Sequence, residues 1–211
     1  HKAGIKPIIG CEVYITPGSR HDKKKGPDRD PIHHLVLLAT DDIGYQNLIR
    51  LVSVGHMEGF YYKPRIDKEI LSQHSKGLIG LASCLQGEVT WHLARGDLDL
   101  AEKAAGEYTD ILGKDNFFLE LQDHGIAEQR KVNQVVPELC KRTGLQAVAT
   151  NDVHYLEKSH AAAHEVLLCL QTQTVMTDPK RMRYPSNEFY LKTRMEMEAL
   201  FRQYPGVLER T

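Results

Sequence analysis

Five short apolar runs punctuate this chain: PIIGCEVYIT (7–16), HLVLLAT (34–40), GLIGLASC (77–84), NFFLELQ (116–122) and LQAVATNDV (145–153). Between and after them, apolar residues recur at helical spacing around 41–56, 67–74, 87–95, 97–112, 126–142, 159–171 and 194–203. Strands alternating with helices predict βα units, and hence an α/β fold with a mostly parallel sheet or barrel. Asp41, Asp97 and Ser159 stand where N-caps belong, and Gly113 and Gly144 follow helices as stops. The first two strands should break the parallel rule. Parallel neighbours need a crossover of roughly a dozen residues or more, usually a helix. Only a turn-rich loop joins these two, so the second should return antiparallel to the first.

Bulk properties exclude several classes. The 211 residues suffice for one large domain or two small ones. With a net charge of −1, the chain as a whole exerts no electrostatic pull on nucleic acid, although a larger basic protein can carry a neutral domain. No run approaches the roughly 18 apolar residues that a membrane span needs, and the start, HKAGIKPIIG, lacks the pattern of a secretory signal. Cys11, Cys84, Cys140 and Cys169 form no C-x-x-C pair, which removes zinc ribbons and thioredoxin motifs. Three of them lie in apolar runs, as reduced buried cysteines do, and a cytoplasmic protein follows as the simplest reading. HKAG, with no initiator Met, resembles a last helical turn stopped by Gly4, so a piece of a longer polypeptide is expected. The basic stretch GSRHDKKKGPDRDP (18–31) reads as an exposed loop; its Lys23–Lys25 triplet could touch a phosphate backbone, but a solvated loop is the simpler account.

Period-two alternation sorts the strand faces. In the first strand Ile9, Cys11, Val13 and Ile15 share the face that helices should cover, and Ile8, Gly10 and Glu12 share the other. The matching inward sets are Gly80, Ala82 and Cys84 in the third run, and Val148, Thr150, Asp152 and then His154 in the last. Three faces of small residues, each leading to a metal-ligating group, are what a small barrel with a site at its rim requires. Eleven histidines is a high count for this length, and several fall at strand ends.

Asp152 and His154 lie roughly 6–7 Å apart on one side of an extended chain, close enough to share one metal or bridge two. A turn cap at Asp152 is the bland alternative. Glu12 interrupts an apolar strand, where a carboxylate needs a cation or a metal. His33 or His34 begins the returning strand at the rim where the Glu12 strand ends, and pattern alone does not choose between them. Cys84 stands out only by its place at a strand end. Glu120 and His124 share the phase of that rim, Glu120 as a group that could orient a ligand histidine, His124 as ligand, substrate contact or turn residue. The mixed O, N and S set suits zinc, or manganese or iron where carboxylates dominate. Five candidates exceed the four of a closed zinc site, and more than one ion suits hydrolysis of phosphate esters.

GIKPIIGCEVY, HLVLLATDDIGYQNLIRLVS, GLIGLASCLQGEV, FFLELQDHG and AVATNDVHY together resemble, in order, the polymerase-and-histidinol-phosphatase (PHP) domain of bacterial replicative DNA polymerase III alpha subunits. The resemblance implies a distorted seven-stranded (β/α) PHP barrel over residues 1–185, with SNEFYLKTRMEMEALF in 186–211 leading toward a polymerase core. It implies metal ligands at Glu12, His34, Cys84, Asp152 and His154, two to three zinc or manganese ions in the intact domain, and a 3′-to-5′ exonuclease of proofreading type. It also implies magnesium-dependent polymerisation elsewhere in the parent, DNA as partner, and other replicase subunits including the sliding clamp. The family's opening H-x-H and T-D-H-G strands do not occur here. Two strands and about four of nine expected ligands should therefore be missing, and the isolated chain should be neither polymerase nor competent nuclease. A free-standing phosphatase acting on a substrate such as histidinol phosphate is a second reading, and a vestigial platform within the polymerase a third. GYQNLIRLVS and SNEFYLK, outside the ligand motifs, favour the polymerase.

Overall fold

Asp41 accepts a hydrogen bond from the Gly44 amide at 2.8 Å, and helix α1 (Asp42–Met57) starts from it. Its buried residues Leu48, Leu51, Val54 and Gly55 form one stripe, as helical spacing requires. Asp97 caps α4 (Leu98–Leu112) in the same way, through the Leu100 amide. Ala101, Ala104, Ala105, Tyr108 and Leu112 are its buried stripe, and Gly113 ends it at φ 90°. Between these lie α2 (Lys68–Gln73) and α3 (Glu88–Ala94); α5 (Ala127–Thr143) is followed by Gly144 at φ 70°. The computed structural model describes residues 2–23 and 31–211. Lys24 and Lys25 of the expected basic triplet, and His1 of the opening turn, lie outside the described residues; Gly4 has φ 72°.

The strands are β1 (Gly10–Thr16), β2 (His33–Ala39), β3 (Arg65–Asp67), β4 (Leu78–Leu81), β5 (Phe117–Leu121) and β6 (Gln146–Ala149), in one sheet of order β3-β1-β2-β4-β5-β6. This mixed α/β arrangement is compatible with a barrel-like fold. β2 does return antiparallel to β1, with Tyr14 opposite His34 and Glu12 opposite Val36. Two expectations need correction. Six strands are present among the described residues rather than five: β3 leads directly into the helical stretch expected from Asp67, and it pairs parallel with β1. Three residues are too few to show alternation. The sheet is also less parallel than expected, because β2 is antiparallel to β4 as well as to β1.

The chain divides into two compact units, His1–Glu120 with Val135–Ala147, and Leu121–Gln134 with Val148–Thr211. The first has its core in Ile15, Leu35, Leu37, Leu51, Ile66, Leu71, Leu78, Tyr108 and Phe117, all nearly inaccessible. Its loop at 17–22 is stapled by charge: Arg20 pairs with the buried Asp67, and Arg65 donates to the carbonyls of Gly59, Arg20 and Asp22. Among the described residues no helix is long and apolar enough to cross a membrane.

The second unit packs around Val132, Leu168, Phe189, Phe201 and Val207 and carries α6 (Ala161–Thr172) and α7 (Arg194–Phe201). Ser159 is not the cap of α6. A 3₁₀ turn over Lys158–His160 runs directly into the helix, so no extended residue precedes it from which a hydroxyl could reach back, and no side chain caps the helix. Helix α7 has a full capping box: Glu196 donates its amide to the Thr193 hydroxyl (3.3 Å) and accepts from the Thr193 amide (2.7 Å).

The Tyr190 hydroxyl, and after it the Thr193 amide and hydroxyl, hold the Glu196 carboxyl down to about 2. A depressed carboxyl stabilises the fold above its ordinary value of 4.5 and loses that contribution as pH falls through about 2. Wild type should therefore lose thermal stability between these values, and Glu196→Gln should flatten that part of the dependence in melting curves recorded across the window.

Candidate metal centre

Glu12 sits in the middle of β1, His34 one residue into β2, and Cys84 just past the end of β4. One ligand atom from each lies within 4.8 Å of the other two, so the first unit holds a possible Glu/His/Cys metal site. The His34 Nδ1 is 3.0 Å from a Glu12 carboxylate oxygen and 3.6 Å from the Cys84 sulfur. Oxygen, nitrogen and sulfur donors converging on one point fit a borderline divalent ion.

Antiparallel register makes the choice between the two histidines. Residues directly opposite share a face, so His34, opposite Tyr14, lies on the Glu12 face, and His33, opposite Ile15, lies on the core face. His33 is accordingly buried, with its Nδ1 3.2 Å from the Gln86 carbonyl and its ring edge-on to Trp91. Burial pushes its pKa down. His34 is shifted the opposite way. Burial disfavours its charge, but contact with Cys84 and the hydrogen-bonded ion pair with Glu12 outweigh that and push it up to about 10. A metal entering here would have to displace that proton.

Cys84 reaches the site by a route that alternation does not describe. Gly80 is opposite Leu37, and Leu37 opposite Cys11, so Gly80 lies on the core face, away from Glu12. A Cβ at Gly80 would meet the Leu112 side chain at 2.5 Å. The expected single inward face of Gly80, Ala82 and Cys84 therefore does not exist. The strand ends at Leu81, and Ser83 turns the chain at φ 68°, a left-handed conformation that costs a non-glycine residue of order 1 kcal/mol or more. The turn is held from several sides. Glu120 accepts from the Ser83 amide (2.8 Å), the Gly87 amide and Thr90 hydroxyl donate to the Cys84 carbonyl, and the His34 amide donates to Gln86. Gly87 is obligatory, since a Cβ there would sit 1.9 Å from the Ala82 carbonyl oxygen. Glu120 thus braces the residue next to Cys84.

In the second unit, Asp152 and His154 follow the end of β6, with 3.5 Å between Asp152 Oδ1 and His154 Nδ1. His124 is fully buried and flat against Phe189, with ring centroids 4.4 Å apart. Its Nε2 accepts from the Asp152 amide (3.2 Å), while Gln129 contacts its Nδ1 (3.1 Å). Burial pushes its pKa down. With both nitrogens engaged, His124 fixes the backbone of Asp152. Two neighbours of His154 were not anticipated: Tyr184, whose hydroxyl is 2.6 Å from His154 Nε2, and His164, whose ring is 5.6 Å away. They are separated from His154 by non-repeating sequence, and no spacing rule connects them to it. Tyr14, edge-on to His34 at 5.1 Å, was within reach of alternation, being two residues from Glu12.

The PHP domain family matches residues 1–124. The chain is 52% identical to DNA polymerase III subunit alpha of Thermus aquaticus over 93% of its own length and 16% of that protein. It is 44% identical to the same subunit of Treponema pallidum (strain Nichols), over 99% of this chain and 18% of that one. With the subunit of Helicobacter pylori (strain ATCC 700392 / 26695) the identity is 42%, over 100% and 18%. The chain spans less than a fifth of the length of the curated relatives it matches. More than half of its residues fall within the family match, and the chain belongs to the PHP domain family.

Proposed function

We propose that this chain is the PHP domain of a replicative DNA polymerase III alpha subunit and acts there as a metal-dependent phosphoesterase on a DNA 3′ end, a proofreading-type 3′-to-5′ exonuclease. Convergence of Glu12, His34 and Cys84 carries the metal part of the reading. A site released from metal duty has no reason to keep a strained turn at Ser83 that delivers a sulfur to a carboxylate and an imidazole. The relatives' names support the polymerase part. In this reading the fold is the seven-stranded PHP barrel, and residues 186–211 lead into the rest of the polypeptide.

Glu12, His34 and Cys84 form one ligand set and Asp152 and His154 another, and the intact domain holds two to three ions of zinc or manganese. Glu12 supplies charge, His34 a neutral nitrogen once its proton is displaced, and Cys84 a thiolate that favours zinc. Bound ions would supply hydroxide near neutral pH and neutralise negative charge on the phosphate. Polymerisation would use magnesium elsewhere in the protein, with DNA, the sliding clamp and other replicase subunits as partners, in the cytoplasm.

The test is metal content of the full-length protein by plasma mass spectrometry, wild type beside a Glu12→Ala, His154→Ala double variant. Two or three ions per chain, lost in the variant, is the expected result. Absence of metal from both would leave a polymerase subunit whose PHP domain is scaffold.

A further inference from the structure

His154 has its two ring nitrogens in different surroundings. Nε2 is 2.6 Å from the Tyr184 hydroxyl. Nδ1 faces Asp152, 3.5 Å from its carboxylate and 3.4 Å from its carbonyl oxygen. A good N–H···O hydrogen bond spans about 2.7–3.2 Å, so both Nδ1 distances are long for one. They suit a different use. Two ligand atoms each about 2.0–2.1 Å from one tetrahedral ion are separated by about 3.3 Å. An imidazole that offers Nδ1 to an ion carries its proton on Nε2, and metal-bound histidines almost always give that proton to a fixed acceptor.

We propose that Tyr184 is the positioning residue for His154: its phenol oxygen accepts the Nε2 proton, sets ring rotation and tautomer, and leaves the Nδ1 lone pair facing the Asp152 carboxylate for a divalent cation. The inference rests on the reading of Asp152 and His154 as ligands. Tyr184 is itself held in place. Its ring packs edge-on to Phe189 at 4.6 Å and to His164 at 5.1 Å, and tilted to His154 at 4.6 Å. The His154 backbone is held too, its amide donating to the Phe189 carbonyl at 2.8 Å. Phe189 therefore anchors both ends of the contact, the Tyr184 ring by packing and the His154 main chain by hydrogen bonding.

Tyr184→Phe removes one oxygen and keeps the packing, which separates positioning from structure. In the full-length protein, zinc affinity is measured by chelator competition for wild type, Tyr184→Phe and Asp152→Ala, with the melting temperature of each metal-free protein and the cobalt(II) absorption of each cobalt-loaded one. Tyr184→Phe should bind zinc at this site about 10- to 100-fold more weakly, with altered cobalt band intensity and an unchanged metal-free melting temperature. Loss of zinc in Asp152→Ala with wild-type affinity in Tyr184→Phe would overturn the positioning role and leave the ligand reading standing. Unchanged zinc binding in Asp152→Ala would overturn the ligand reading and this inference with it. A fall in metal-free stability that accounts for the whole affinity change would make Tyr184 a packing residue and also overturn the proposal.

Discussion

Replacing Asp67 with alanine is expected to destabilise the first unit by about 3–5 kcal/mol, the cost of breaking a buried ion pair from one side. The Asp67 carboxylate accepts the Arg20 amide at 2.7 Å and the Arg20 guanidinium at 3.0 and 3.1 Å. It also caps α2 through the Ile70 amide. Both partners are buried, Asp67 at 3% exposure and Arg20 at 9%. The alanine variant strands a guanidinium, a main-chain amide and a helix end together. Glu58, 2.9 Å from Arg20 Nε, would remain and place the loss toward the lower end of that range. Glu69 also touches Arg20, at 3.2 Å, but its side chain is 68% exposed. Glu69→Ala should cost no more than about 1 kcal/mol. Denaturant unfolding of the two variants side by side gives the comparison. Equal, small losses would show that the Arg20 contacts are not a buried network.

His34→Ala should weaken zinc binding at the Glu12 cluster by more than about 100-fold in the full-length protein, since changes beyond the ligand shell already cost 10- to 100-fold. His33→Ala is the informative partner. His33 belongs to the core face, against Trp91 and the Gln86 carbonyl, so its loss should lower the melting temperature and spare the metal. Equilibrium dialysis against zinc, read by mass spectrometry, separates the two. Retained zinc in His34→Ala would remove that imidazole from the site.

Much of the fold was legible because its local rules are short-ranged. Asp41 and Asp97 cap helices from the residue before the first turn, and Gly113 and Gly144 end them in left-handed conformations. Ser159 failed as a cap because the preceding residues already form a 3₁₀ turn, which composition does not reveal. β3 was hidden because three residues carry no period, and its existence depends on pairing with β1.

From sequence alone came the order of the strands other than β3 and of the main helices, the antiparallel return of β2, and the residue types a metal needs, because periodicity, capping and loop length act within a few residues. Tertiary structure decided which of these groups meet. Register placed His34 on the Glu12 face and sent Gly80 to the core, and the left-handed Ser83 carried Cys84 back across a phase that alternation would have kept. Tyr184 came to His154 from 30 residues away. Convergence of this kind depends on long-range pairing and packing, which leave no local pattern in the chain.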